Sequence, residues 1–209
     1  MASSEKRVER KPAGDWEARA AAALPIAGAG LVGLSLVLPH PSGGNETALI
    51  LIATGMALIG SLCSFFFRRI PAIGVHALIA GSVGLAGLLM YESGAAVGQY
   101  GTIFVWATLI SAYFFPLRIA ALHFTWLQAV NAATLLSVES TAGYSPLTRW
   151  LFTFISLGVV MLLISRIVSA QARADKRARR FFELSHDMLC TMDEEGHCRE
   201  VNGAWARHL

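Results

Sequence analysis

Three ionisable side chains that can bind metals lie within apolar stretches of the chain: Cys63, His76 and His123. Each lies about one helical turn from the positively charged end of its stretch, so the three are predicted to share one depth in a helical bundle. Two imidazoles and a thiol at one level could ligate a metal ion or bind a haem axially. The alternative is that each histidine hydrogen-bonds a neighbouring helix and serves packing alone. Because the histidines lack the paired i, i+4 spacing of a zinc helix, the sequence predicts no metal site and identifies no cofactor.

A polar stripe is predicted on the apolar stretch that contains His123. At about 100° per residue, His123, Asn131 and Thr134 fall within one arc of about 80°. Polar groups are costly in lipid, so this stripe should face the interior of a bundle. It motivates an alternative function as a small-solute transporter or channel, although the stretches contain no carboxylates and no broken-helix pattern of the kind transporters use.

Six apolar stretches are predicted to form the elements that position these side chains. The chain has 209 residues, of which 55% are hydrophobic and only 15% are charged. A hydrocarbon core of about 30 Å takes about 20 helical residues to cross. The stretches are 20–38, 47–67, 72–90, 99–115, 119–138 and 150–170. The predicted fold class is therefore an all-α integral membrane bundle of six transmembrane helices.

The distribution of lysine and arginine predicts the orientation of this bundle. Fourteen of these residues flank the helix ends on the side of the amino terminus, whereas the opposite side has Arg149 alone. Positive flanks stay in the cytoplasm, so both termini are predicted to be cytoplasmic. The net charge of +3 is thus a topology signal, and we predict that the partner is the lipid bilayer and not nucleic acid.

The sixth stretch continues as a basic helical linker over residues 171–181. Six of its residues recur at alternating steps of three and four, the spacing of a coiled-coil seam. They are Ile164, Ile167, Gln171, Ala174, Ala178 and Phe181. This signalling seam predicts a homodimer formed through the sixth span and the linker. The alternative is an arginine-rich helix that lies against anionic headgroups.

After Arg180 the composition changes, and a β-hairpin is predicted. Residues 189–192 have the pattern of a short strand, 193–196 form a turn that ends in Gly196, and 197–201 form the return strand. Asn202 is predicted to be the N-cap of a following helix.

The order of helix, hairpin and helix resembles the beginning of a PAS domain over about thirty residues. The matching residues are Phe182, Ser185, Asp187, Asp193, Gly196, Asn202 and Ala204. The resemblance implies an incomplete α/β start of a PAS domain over 182–209, with the rest of its sheet and most of its cofactor pocket expected beyond Leu209. The alternative is an unrelated hairpin, since short hairpin patterns are common.

The predicted layout is a cytoplasmic arm over 1–19, a membrane sensor over 20–170, a linker over 171–181 and the PAS-like segment. It is similar to that of bacterial membrane-anchored diguanylate cyclases with a GGDEF domain, and to that of PAS sensor histidine kinases. The resemblance implies an input module in the bacterial inner membrane that relays a membrane-borne signal to a cytoplasmic output domain. No catalytic motif occurs in the chain, so any enzymatic activity is expected to belong to that output domain.

Overall fold

The computed structural model describes residues 15–38, 45–94, 99–138 and 145–208. Within these residues six helices are followed by a two-stranded hairpin and a short helix. The helices are α1 (Asp15–Val37), α2 (Glu46–Phe65), α3 (Ala72–Glu92), α4 (Thr102–Phe114), α5 (Leu117–Ser137) and α6 (Pro146–Leu184). The hairpin consists of β1 (Cys190–Met192) and β2 (Cys198–Val201), and α7 (Trp205–His208) follows it.

Local signals explain where these helices begin. The side chain of Asn45 accepts a hydrogen bond from the Ala48 amide and caps α2, and Ser145 does the same for α6 by accepting from Thr148. Pro71 and Pro116 directly precede α3 and α5, where the missing amide hydrogen of proline costs nothing. Pro25, in contrast, lies inside α1, which continues through it.

Five of the six helices, all except α4, are long and apolar enough to cross a membrane. The prediction of a mostly helical, apolar bundle is therefore confirmed. The exception, α4, has 13 residues and is about 20 Å long. The predicted stretch 99–115 begins instead with a 3₁₀ turn over Gln99–Gly101, and the buried Tyr100 of that turn shares a 2.7 Å hydrogen bond with Ser35 of α1.

Two glycines set close approaches between helices. A Cβ atom at Gly60 of α2 would lie 2.5 Å from Cγ1 of Ile26 and 3.1 Å from the Ala22 carbonyl oxygen of α1. A Cβ atom at Gly87 of α3 would lie 2.5 Å from Cγ1 of Val130 on α5. Absence of a side chain at these positions lets the backbones come together, which maximises van der Waals contact between helices.

The chain divides into two compact units, Met1–Leu162 and Leu163–Leu209. The first contains α1 to α5 and the start of α6, and α1 and α3 lie at its centre because each packs against several other helices. The second contains the rest of α6, the hairpin and α7. The boundary falls inside α6, which continues without a break through both the predicted sixth span and the predicted linker.

The predicted hairpin is confirmed, with slightly shorter strands. β1 and β2 pair antiparallel, with Cys190 opposite Val201 and an irregularity between Thr191 and Met192. Gly196 has a φ of 83°, which a residue without a Cβ atom adopts readily, and its amide donates to the Asp193 carbonyl at 3.1 Å.

Candidate functional site: a histidine pair inside the helical bundle

The structure brings two of the three predicted candidates together. Nδ1 of His76 on α3 lies 3.1 Å from Nε2 of His123 on α5, a hydrogen-bonding distance. His123 is only 8% exposed, whereas His76 is partly exposed near the start of α3. The pair therefore links the interior of the bundle to its surface.

Ser111 of α4 is a third member of the site, which no pattern in the sequence predicted. Its Oγ lies 3.0 Å from Nδ1 of His123, so both ring nitrogens of His123 are hydrogen-bonded. A neutral imidazole has one donor nitrogen and one acceptor nitrogen, and a serine hydroxyl can serve as either. The three side chains therefore form one continuous hydrogen-bonded chain that connects α3, α4 and α5.

Phe115 packs against both imidazoles. Its ring centroid lies 4.9 Å from that of His76 and 5.4 Å from that of His123. The backbone places it there because α4 ends at Phe114 and Pro116 forces the preceding residue into an extended conformation. Phe115 also contacts a buried cluster that includes Val75 and Ile79, so the rings are held on an apolar base.

A small cavity adjoins the buried side of the pair. Its polar lining comes from Thr108, Ser111 and His123, and its apolar lining includes Ile79, Ala107 and Met161. Its volume is about 10 Å³, which is close to the cavity volume that one water molecule needs. The hydrogen-bonded chain thus ends where a single water can be held.

Cys63 does not complete a metal site with the pair. Within the described parts of the chain, no group of three or more histidine, cysteine, aspartate or glutamate side chains is close enough to hold a metal ion. A structural zinc site needs four such ligands. His76 and His123 instead face each other across a hydrogen bond, so they cannot bind one haem iron from opposite sides in this arrangement.

The predicted polar stripe on α5 is buried, as its composition suggests. His123, Asn131 and Thr134 are all less than 9% exposed, and Thr134 donates to the Val130 carbonyl oxygen at 3.0 Å. Gln128 is a buried polar residue of α5 that lies outside the predicted arc. Among the described residues, the side-chain atoms Oε1 and Nε2 of Gln128 have no hydrogen-bond partner. The same is true of Nδ2 of Asn131.

Gln128 is buried because neighbouring helices cover more of the surface of α5 than the predicted stripe. The Trp150 side chain of α6 donates its Nε1 hydrogen to the Gln128 carbonyl at 3.1 Å, and Trp150 stacks on Phe154 with ring centroids 5.2 Å apart. On nearly the opposite side of α5, Trp126 donates to the Ala80 carbonyl of α3 at 3.0 Å. Two tryptophans therefore tie α5 to its neighbours through backbone carbonyls.

The predicted signalling seam lies along one continuous helix. All six of its residues belong to α6, and five of them are exposed while Ile164 is partly buried. Ile167 is 53% exposed and Phe181 is 76% exposed. The seam is therefore available for another helix to cover.

Three of the predicted PAS-like residues are hydrogen-bonded through their backbone carbonyls to the side chain of Asn202, which is only 2% exposed. Its Oδ1 accepts from the Leu189 amide at 3.1 Å, and its Nδ2 donates to carbonyl oxygens near the end of α6. These carbonyls belong to Phe182, Ser185 and Asp187, at 3.0, 3.4 and 2.8 Å. The prediction that Asn202 caps the following helix is wrong, because α7 begins at Trp205 and the Asn202 amide is used by the preceding helix and strand instead.

The remaining members of that motif lie in the turns on either side. Ser185 accepts from the Asp187 amide at 3.2 Å directly after α6, and Oδ1 of Asp193 accepts from the His197 amide at 2.7 Å across the hairpin turn. These contacts explain why the segment needs serine and aspartate at these positions, since each closes a local turn.

Comparison of the chain with protein-family models, with curated proteins and with solved structures gives no match. The assignment of function therefore depends on the geometry described above.

Proposed function

We propose that this chain is the membrane-embedded input module of a bacterial signal-transduction protein. In this proposal all six helices cross the inner membrane, including the short α4, and both termini lie in the cytoplasm. Five apolar helices of sufficient length support it. So do the large apolar side chains that α2 and α6 expose, among them Leu51 and Phe152, because lipid is the solvent in which such surfaces are stable.

The observation that carries the proposal is the uninterrupted helix α6. It has 39 residues and is about 58 Å long, nearly twice the thickness of a hydrocarbon core. A helix that is apolar at its start and basic after Arg166 can convey a rotation or a shift along its axis from one end to the other. The hairpin that follows is bonded to its last turn through Asn202.

The proposed destination of the signal is a PAS domain that begins at residue 182, ahead of the hairpin, followed by a diguanylate cyclase or, as the alternative, a histidine kinase. A small-solute transporter or channel remains the second class of function, and the unpartnered amides of Gln128 and Asn131 are the feature that favours it. The absence of carboxylates from the described interior of the bundle favours the sensor.

Insertions after Gln171 test the relay in the full-length protein with its natural output domain. Two inserted residues rotate the rest of the helix by about 200°, whereas seven rotate it by only about 20°. We expect the two-residue insertion to abolish regulated output and the seven-residue insertion to preserve it. Output is measured as cyclic dinucleotide formed or as autophosphorylation. If both insertions leave output unchanged, or if the gene encodes no output domain after codon 209, the proposal is wrong.

The proposed homodimer is tested by oxidative cross-linking in membranes. Cysteine at Ala174, in the seam, should cross-link to the same residue of a second copy, because disulfides form only when Cα atoms lie within about 7 Å. Ser169→Cys is the matched control, since it lies about 140° around the helix from Ala174. Both variants are made in a background that lacks Cys63, Cys190 and Cys198. Equal cross-linking of the two would contradict a dimer through the seam.

A further inference from the structure

We propose that His76 and His123 form a binding site for one additional proton, loaded from the surface through His76. The site lies between α3 and α5, and Ser111 of α4 completes it. Proton binding is a property of the pair itself. That this proton is the signal detected by the chain rests on the proposed function.

The hydrogen-bond geometry fixes how many protons the pair can hold. In the neutral pair one of the two facing nitrogens donates its hydrogen and the other accepts it across 3.1 Å. A proton that binds to the remaining lone pair of His76, at Nε2, produces an imidazolium whose Nδ1 hydrogen still donates to His123. Every hydrogen bond is kept. A second proton would place two donors face to face at the same distance, so the pair must separate before it binds.

The pair is partly exposed on the side of His76 and buried on the side of His123. His76 is partly exposed and lies in the first turn and a half of α3, whereas His123 is buried and adjoins the cavity lined by Ser111 and Thr108. Imidazole can accept a proton at one nitrogen and release one from the other. The bound proton can therefore pass from Nδ1 of His76 to Nε2 of His123, whose Nδ1 hydrogen then donates to Ser111 beside the cavity.

The elements that surround the histidine pair carry other charged and titratable groups. α5 contributes Arg118, the region of α1 and the turn before α3 contributes Arg19, Arg68 and Arg69, and α4 contributes Tyr113. Cys63 lies near the end of α2. Tyr91 and Glu92 lie at the end of α3, and Glu46 lies at the start of α2, next to the Asn45–Glu92 hydrogen bond. Arg149 and Arg166 belong to α6. The described hydrogen bonds of the two rings are the one between them and the one to Ser111, so these are the contacts that would stabilise the added charge.

The test is nitrogen NMR of the full chain, labelled at histidine and held in nanodiscs of uncharged lipid. In the native chain we expect a through-bond coupling between one nitrogen of His76 and one of His123, which only a direct N–H···N hydrogen bond produces. As the pH is lowered, the pair should take up a single proton, seen at both rings together, as interacting sites do. This measurement needs no substitution and so does not depend on any variant folding.

Substitutions then test the coupling. In His76→Gln the remaining imidazole should bind its proton at a different pH from the native pair, as expected when two sites interact. Ser111→Ala should change the ratio of the two neutral tautomers of His123. His186→Gln, in the exposed segment after α6, is the control and should change neither ring.

Three results would overturn the proposed site: absence of the nitrogen–nitrogen coupling, titration midpoints that ignore the partner ring, or two rings that bind no proton down to about pH 5. A separate measurement addresses the proposed function. If the pair binds its proton as described but the output of the full-length protein is the same at all pH values, the site stands and its role as the signal input fails.

Discussion

Replacing Gly60 with alanine is expected to destabilise the helical bundle by disrupting the contact between α1 and α2. The new Cβ atom would lie 2.5 Å from Cγ1 of Ile26 and 3.1 Å from two backbone atoms of α1, the Ala22 oxygen and the Ile26 nitrogen. The Ile26 side chain can shift, but the backbone atoms move only if α1 and α2 separate. Overpacking of this kind costs about 1–3 kcal/mol.

Gly55→Ala is the matched control because it lies on the same helix with no atom within 4 Å of the added Cβ. Both variants gain the better helix propensity of alanine, about 1 kcal/mol, so the difference between them isolates the clash. We expect Gly60→Ala to have the lower free energy of unfolding by about 1–3 kcal/mol, measured by titration with denaturing detergent and followed by circular dichroism. Equal stabilities would mean that α1 and α2 are not in close contact at Gly60.

The second large effect is expected from Asn202→Ala in the segment after α6. The variant removes four hydrogen bonds and leaves the Leu189 amide and the carbonyls of Phe182 and Asp187 without their partner. At about 1 kcal/mol for each bond, the loss of about 2–4 kcal/mol exceeds what a two-stranded hairpin can sustain. The hairpin should therefore detach from α6 and lose its own pairing.

Hydrogen exchange of the strand amides measures this effect in the full chain. We expect protection over Cys190–Met192 and Cys198–Val201 to fall at least about tenfold, which corresponds to about 1.4 kcal/mol. Asn202→Asp should have a similar effect, because its carboxylate keeps the acceptor for Leu189 but cannot donate to the carbonyls. Glu200→Ala, an exposed change in the same strand, is the control. Native protection in Asn202→Ala would show that other contacts hold the hairpin.

The helices could be predicted from the sequence because their causes are local. Apolar stretches bounded by proline, asparagine and charged residues identified six helical segments, with boundaries that differ by a few residues at most ends. The exceptions also have physical reasons. α1 begins earlier, at Asp15, and α6 continues through the predicted linker and ends three residues beyond it, at Leu184, because nothing in its basic region breaks a helix. The short α4 reflects a 3₁₀ turn that is fixed by a contact between Tyr100 and a distant helix, which no local pattern contains.

The candidate site could be predicted only in part. Equal depth suggested that Cys63, His76 and His123 belong together, but depth does not say which helices are neighbours. His76 and His123 meet because α3 packs on α5, whereas Cys63 is on α2. Ser111 resembles any other small polar residue in an apolar helix until the fold places it beside His123. Gln128 was outside the predicted stripe because burial of α5 depends on α6, which is a tertiary effect.

Asn202 also illustrates the limit of local reasoning. An asparagine just before a helical stretch usually caps that helix, which is why the N-cap role was predicted. Tertiary contacts determine its role instead. The Asn202 side chain hydrogen-bonds three carbonyl oxygens near the end of α6 and the backbone amide of Leu189 before β1. The local pattern therefore did not predict the partners of its side chain.

The side-chain amide of Asn202 joins the last turn of α6, the turn after it and the residue before β1. In the proposed relay, no flexible hinge would therefore separate the helix from the hairpin. Freeing this one buried amide would uncouple the hairpin from α6 although the backbone stays intact.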